Sequence, residues 1–213
     1  MQLRLRHKLI AAAGLLACAL PAMAQSPLPL TIPGDADRGA PLAYTCTGCH
    51  GIDGAVNAYP TYHVPKLGGQ NADYIEIALQ GYRAGQRQHP TMVAQGSQLS
   101  DQDIADIAAY FARFDSAPTT GVSAANASVI LAGEEKSTTC QACHGADGQA
   151  PSPQWPNLAG QHRSYLLESM RQYQRAERTD AVMASMVAAL DDESLKQLAA
   201  YYAALPGLFQ TGH

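Results

Sequence analysis

The chain has 213 residues, and its 14 basic and 18 acidic side chains give a formal net charge of −4. This moderately acidic balance argues against nucleic acid as a partner and favours partners with basic surface patches. Beyond the N-terminal region, no stretch is both long enough and free enough of charge to cross a membrane.

Residues 1–24 have the pattern of a secretory signal peptide. Three basic residues precede an apolar run from Leu9 to Leu20, and Ala22-Met23-Ala24 supplies small residues before a cleavage point. The apolar run of about 12 residues is shorter than the roughly 20 that a transmembrane helix needs. We therefore expect export to the periplasm, a soluble mature protein that begins at Gln25 and, at most, a loose association with the inner membrane.

Cys18 leaves with the signal peptide, so four of the five cysteines remain. Lipid attachment at Cys18 is an alternative, although Leu15-Leu16-Ala17-Cys18 is a poor match to a lipid-attachment signal. The remaining four cysteines all lie in two related segments, Cys46-Thr47-Gly48-Cys49-His50 and Cys140-Gln141-Ala142-Cys143-His144.

Cys-x-x-Cys-His is the spacing at which haem is attached covalently. Two thioether bonds fix the haem edge against one turn of chain, and the histidine that follows ligates the iron. A structural zinc site, disulfides and a thioredoxin-like redox pair are the competing interpretations. None of these needs a histidine after both second cysteines. The sequence therefore predicts two haem c groups, held by Cys46, Cys49 and His50 and by Cys140, Cys143 and His144.

The two motifs belong to an internal duplication that spans the mature chain. Equivalent residues differ by 94 positions as far as Gly54 and by 91 positions from Pro65 onwards, so the first half carries a three-residue insertion between them. The equivalent pairs include Gly39/Gly133, Pro65/Pro156, Tyr74/Tyr165, Arg87/Arg178, Met92/Met183 and Tyr110/Tyr201.

In chain order, each half is predicted to repeat the same helices. Segments 35–44 and 128–138 lead into the haem motifs, and segments 73–82 and 164–173 form a second pair. A final helix begins at Ser100, where Asp103 is placed for a capping box, and its counterpart begins at Asp191. The Gly- and Pro-rich stretches 51–70 and 145–161 are predicted loops around the haem edge.

These elements predict an all-α fold of two tandem domains, each wrapped around one haem. The predicted domains are 25–117 and 127–213, joined by a linker at 118–126 that is rich in small polar residues, Pro and Gly. Each half is near the lower size limit of an independent domain, so the haem itself would supply much of the apolar centre.

The sixth iron ligand decides whether a haem transfers electrons or binds small molecules. Met92 and Met183 occupy equivalent positions, and a thioether is a soft ligand that raises the reduction potential. We expect them to ligate the irons, with core packing as the alternative. Met170 and Met186 lack methionine counterparts in the repeat and are expected to be packing or surface residues, with Met186 as the fallback ligand. His63 and His89 also lack repeat partners and are expected to be ordinary loop histidines, with a bis-histidine site as the alternative.

Three features repeat around the haem motifs: His-Gly-x-Asp-Gly at 50–54 and 144–148, the stretches Pro65–Gln70 and Pro156–Gln161, and the methionine-to-final-helix segments. In these features the chain resembles the class I cytochromes c and, more closely, the tandem two-haem cytochrome c4 family. The resemblance covers essentially the whole mature chain. It implies a cytochrome c fold in each half and axial pairs His50/Met92 and His144/Met183. It also implies that the carbonyls of Pro65 and Pro156 accept hydrogen bonds from the proximal imidazoles, a loop constraint being the alternative.

The expected function is that of an electron carrier, not an enzyme. The resemblance implies transient contacts with periplasmic or membrane-bound redox proteins, such as a quinol-oxidising complex and a terminal oxidase or other reductase, with the carrier as a monomer or a dimer. A haem subunit docked on a periplasmic dehydrogenase or sulfur-oxidising enzyme is the main alternative, and a haem enzyme with an open iron is a third.

Two further groups carry expectations. Tyr74, Tyr165, Arg87 and Arg178 either pack on the haems and bind their propionates, or are ordinary helix-end residues with solvated arginines. The longer loop of the first half, residues 57–64, is rich in tyrosine and is expected to alter the exposure of the first haem edge.

Overall fold

The computed structural model describes residues 27–115 and 127–211. The predicted signal peptide and the predicted linker 118–126 lie outside these ranges. No helix within them is both long and apolar enough to cross a bilayer. The elements of the first half are α1 (Ala36–His50), β1 (Val56–Ala58), β2 (Thr61–His63), α2 (Ala72–Arg83), α3 (Pro90–Gly96) and α4 (Asp101–Ala112). Those of the second half are α5 (Ala127–Lys136), α6 (Thr138–His144), α7 (Arg163–Gln174), α8 (Ala181–Val187) and α9 (Asp192–Ala204).

The predicted starts of the final helices are confirmed. Ser100 Oγ accepts a hydrogen bond from the Asp103 backbone N–H at 3.1 Å, and the Asp103 carboxylate accepts from the Ser100 N–H at 2.9 Å, which completes the capping box. In the second half, Asp191 accepts from the Ser194 N–H at 2.8 Å. Each cap satisfies N–H groups that the first turn of a helix leaves without partners.

The first and last helices of each half cross at a glycine. A Cβ on Gly39 would lie 2.0 Å from the Asp106 carbonyl oxygen, and one on Gly133 would lie 2.1 Å from that of Gln197. These distances are far inside van der Waals contact, so only glycine allows α1 to reach α4 and α5 to reach α9 this closely. The crossing brings each haem motif against the core of its own half.

Each core is formed by the face that the helical spacing predicts. Ile104, Ile107 and Phe111 of α4 are at most 2% exposed and pack against Ile75 and Leu79 of α2. In the second half, α9 supplies the buried residues that pack on Leu166 of α7, namely Leu198, Ala199, Tyr201 and Tyr202. Burying one large apolar side chain stabilises a fold by about 1.5–3 kcal/mol, so these two faces hold each helix set together.

Two local features differ from the sequence-based expectation. The stretch 51–70 was expected to be loop, but it contains a short antiparallel hairpin in which Val56 pairs with His63 and Ala58 with Thr61. The helix expected at 128–138 ends at Lys136, and a separate helix, α6, carries the second haem motif. Ser137 lies between them, fully buried, and its Oγ donates to the Glu134 carbonyl at 2.7 Å.

The two halves meet across an interface of approximate twofold symmetry. The buried amide of Gln70 bonds both backbone groups of Asn157, accepting from its N–H at 2.8 Å and donating to its carbonyl at 3.0 Å. Gln161 does the same to the equivalent residue, Lys66, at 2.9 and 3.0 Å. Buried amide groups need such partners, so the two glutamines fix how one half sits on the other.

Candidate functional site

The last turn of α1 and the helix α6 present the two Cys-x-x-Cys-His motifs in matching ways. All four thiols are free: Cys49 is exposed, whereas Cys46, Cys140 and Cys143 are partly buried. Burial raises the pKa of the first thiol of each pair, Cys46 and Cys140. Free thiols on one helical turn, open to the surface on one side, suit the formation of thioether bonds.

The disulfide interpretation does not fit this geometry, because none of the four thiols is bonded to another. The zinc interpretation also lacks its ligand set. Within the described residues, no three or more His, Cys, Asp or Glu side chains come together as a metal-binding group. The two cysteine pairs remain separate sites, one in each half, as two haems require.

The proximal histidines are buried and held by the predicted prolines. His50 is 7% exposed and its Nδ1 lies 2.7 Å from the Pro65 carbonyl, while His144 is 6% exposed with its Nδ1 3.0 Å from the Pro156 carbonyl. A carbonyl can only accept, so each Nδ1 carries the proton and each Nε2 keeps its lone pair free for iron. Burial lowers the pKa of both rings, which keeps them in the neutral form that binds metal.

Met92 and Met183 lie at the same place in two short helices, α3 and α8. Both side chains are partly buried, and Met92 packs against the core of the first half. The fallback ligand Met186 is 38% exposed at the surface, and Met170 packs partly buried against the second core.

Arg87 and Arg178 face each other across the interface as partners in an antiparallel backbone bridge. Arg178 is only 5% exposed, which overturns the expectation of solvated helix-end arginines. Each guanidinium lies over aromatic rings of its own half: Arg87 is 4.6 Å from the centre of Tyr82, and Arg178 is 5.6 Å from that of Tyr165. Two cations among tyrosine rings, Arg178 buried and Arg87 partly buried, create a strong positive potential.

This arginine pair lacks a described carboxylate partner. Arg87 donates to the Tyr165 hydroxyl at 3.2 Å and Arg178 to the same hydroxyl at 3.1 Å, while the Arg87 Nε is buried without a hydrogen-bond partner. Burial raises the pKa of Tyr74, whereas at its repeat partner Tyr165 the two arginines outweigh burial and lower the pKa. An orphaned guanidinium N–H in such surroundings fits an anionic group, and the propionates are the anions a haem brings.

Comparison with known proteins agrees with this arrangement. The family model for cytochrome c matches residues 36–113, and that for subunit III of cbb3-type cytochrome c oxidase matches residues 134–201. Cytochrome c4 of Pseudomonas aeruginosa is 31% identical over 79% of this chain and 87% of its own length. The chain belongs to the cytochrome c4 family of dihaem class I c-type cytochromes.

Two further relatives extend the comparison. The structure of reduced cytochrome c4 from Pseudomonas stutzeri superimposes on this cytochrome with a TM-score of 0.69 at 28% identity, covering 81% of this chain and 99% of that one. A thiosulfate dehydrogenase electron acceptor of Stutzerimonas stutzeri is 29% identical over 76% of this chain and 80% of its own length. The predicted all-α fold of two cytochrome c domains is confirmed apart from the small hairpin, and the cofactors are two covalently attached haem c groups.

Several residues at these sites were not predicted from the sequence. His63 and His89 were expected to be ordinary loop histidines, yet His63 stacks on His162 at 4.7 Å between ring centres and His89 caps α3. Within the loop at 57–64, Tyr62 is buried and packs on Tyr165 of the other half at 6.4 Å between ring centres, whereas Tyr59 is 99% exposed. The interface glutamines were noted only as part of a repeated segment. Their matched spacing was the available signal.

Proposed function

We propose that this cytochrome carries electrons in the periplasm between redox partners through two haems that each have a histidine and a methionine ligand. The observation that supports this is the matched placement of a buried, carbonyl-bonded histidine and a methionine-bearing helix in both halves. A bound haem iron supplies a one-electron couple, and two protein ligands close it to other reactants.

The residues of each half hold the haem in distinct ways. The two thiols of each motif would anchor the haem edge, the proline carbonyl would orient the proximal ring and increase its donor strength, and the methionine would close the iron to small ligands. Arg87 and Arg178 would hold propionates at the interface. Because the two arginines pair across the contact between the halves, bound haems would supply a route for electron transfer from one half to the other there.

The test of this proposal is the absorption spectrum of the reduced holoprotein with and without carbon monoxide. We expect no change in the unmodified protein, because both irons already have two protein ligands. Met92→Ala and Met183→Ala should each open one haem, so that carbon monoxide shifts the spectrum of half of the haem. Met186→Ala is the matched control, since it removes a methionine from the same helix α8 and should leave both haems closed. Unchanged spectra in both ligand variants would disprove the assignment.

For the partners, we propose transient docking, with a quinol-oxidising complex as donor and a terminal oxidase or other reductase as acceptor. A second candidate is that the protein accepts electrons from a periplasmic sulfur-oxidising dehydrogenase, either as a bound subunit or as a free carrier. The relative named as a thiosulfate dehydrogenase electron acceptor favours this candidate. Isolation from native periplasm at moderate salt separates the two arrangements. A stoichiometric complex supports the bound subunit, and a free monomer or dimer supports the carrier.

A further inference from the structure

The helices that carry the two methionines begin with different residues. His89 is the N-cap of α3 and Asp180 is the N-cap of α8, and these are equivalent positions in the repeat, three residues before Met92 and Met183. The methionines and the histidines of the haem motifs repeat without change. The N-cap is therefore a chemical difference between two otherwise equivalent helices.

In the first half, the cap is a neutral imidazole. The Met92 backbone N–H donates to Nδ1 of His89 at 3.3 Å, so that nitrogen carries no proton. The other ring nitrogen, Nε2, then donates to Oδ1 of Asn57 at 2.9 Å. Asn57 lies on β1 of the hairpin and also donates to the Tyr62 carbonyl across that hairpin at 3.3 Å. The hairpin thus fixes the ring that caps the helix of Met92.

In the second half, the cap is a carboxylate. Asp180 Oδ1 accepts from the Met183 backbone N–H at 2.8 Å. The second half has no hairpin in its corresponding loop, 145–161. A formal negative charge is therefore held against the backbone of Met183, where the first half holds an uncharged ring against the backbone of Met92.

We infer that these two caps position the methionine helices and that the Asp180 carboxylate lowers the reduction potential of the second haem, an effect that the neutral His89 does not have on the first. The inference rests on the proposed ligation by Met92 and Met183. The physical reason is that a nearby negative charge favours the more positive, ferric state of an iron centre, whereas a neutral imidazole does not.

The deciding variant is Asp180→Asn, whose side-chain oxygen can still cap α8 while the charge is removed. In a spectroelectrochemical titration of the holoprotein, we expect the second haem to become easier to reduce. The ferrous-to-ferric ratio at a fixed applied potential should rise about tenfold, which is about 59 mV for a one-electron couple. The first haem should not move. His89→Asp should lower the potential of the first haem alone by a similar amount.

Asp191→Asn is the matched control. It makes the same substitution at the N-cap of another helix in the same half, α9, and should change either ratio by less than about twofold because it does not touch the methionine helix. A shift in Asp180→Asn no larger than that of Asp191→Asn would overturn the inference.

The methionine variants keep this outcome separate from the proposed ligation. Met92→Ala and Met183→Ala assign each measured potential to its haem. If they open their haems and Asp180→Asn shifts nothing, the ligation stands and only the role of the caps is wrong. If they open neither haem, the ligation itself fails.

Discussion

The two halves of this cytochrome have the same candidate haem-binding residues but differ in some of their charged residues. Equivalent cysteines, histidines, prolines and methionines repeat, and the helix crossings at Gly39 and Gly133 are nearly superimposable in their contact distances. By contrast, Asp106 of the first half corresponds to Gln197 of the second, and only the first half carries the hairpin. The comparison shows that the duplication keeps the candidate haem-binding residues in place while charged residues elsewhere in the two halves diverge.

The largest loss of stability is expected at the helix crossings, which the two halves share. Gly39→Ala and Gly133→Ala should each cost about 3 kcal/mol of unfolding free energy, because the added Cβ would meet a backbone carbonyl of the partner helix. Urea unfolding of the holoprotein measures the cost. Gly48→Ala is the control: a Cβ there meets nothing within 4 Å, and the second half already has Ala142 at that position. Equal costs for Gly48→Ala and Gly39→Ala would contradict the packing argument.

A smaller effect is expected where the hairpin meets the second half. His162 stacks on His63. Burial, and then the neighbouring Lys66 and His63, lower the pKa of His162 from 6.5 to about 4. Between these values the unfolded chain binds a proton that the folded chain does not, so stability falls as the pH drops from 6.5 toward 4. Because His162 is only half-buried, we expect a loss of about 1 kcal/mol.

Denaturant unfolding at pH 7 and pH 5 checks this dependence. His162→Gln should flatten the difference between the two pH values, since the glutamine does not titrate. An unchanged difference in that variant would show that another group carries the dependence.

An effect of similar size is expected at Asp106 of the first half, whose counterpart in the second half is the uncharged Gln197. Hydrogen bonds from Arg38, at 2.9 Å to each carboxylate oxygen, lower the pKa of Asp106 from 3.8 to about 2. This contribution to stability is complete above pH 4 and is lost as the pH falls toward 2, because protonation removes the ionic partner of Arg38. Asp106→Gln, which installs the residue of the second half, should cost roughly 1 kcal/mol at pH 7.

Thermal unfolding at pH 7 and at pH 3 measures this cost. The variant should lose stability relative to the unmodified protein at pH 7 and approach it at pH 3. A cost that is as large at pH 3 as at pH 7 would assign the effect to packing instead of charge.

The sequence specified the parts of the site that repeat. Cys-x-x-Cys-His fixes both haem positions because the spacing is tied to thioether chemistry, and comparing the halves selected Met92 and Met183 from the other methionines. The hairpin escaped prediction because each of its strands has only three residues, fewer than the run of about four to eight over which alternation predicts a strand. The burial of Arg178 escaped prediction because it comes from contact with the other half, which no local pattern encodes.

The reciprocal bonding of Gln70 and Gln161 has a consequence for the origin of the molecule. Gln70 bonds the backbone of Asn157, and Gln161 bonds the backbone of the equivalent residue, Lys66. The contact therefore does not depend on which side chain occupies that position. An interface in which each part gives the other the same bonds is isologous, the geometry of a symmetric homodimer. A single-haem ancestor with one such glutamine would already have possessed the surface by which two copies associate, and fusion of its gene would have made that dimer permanent.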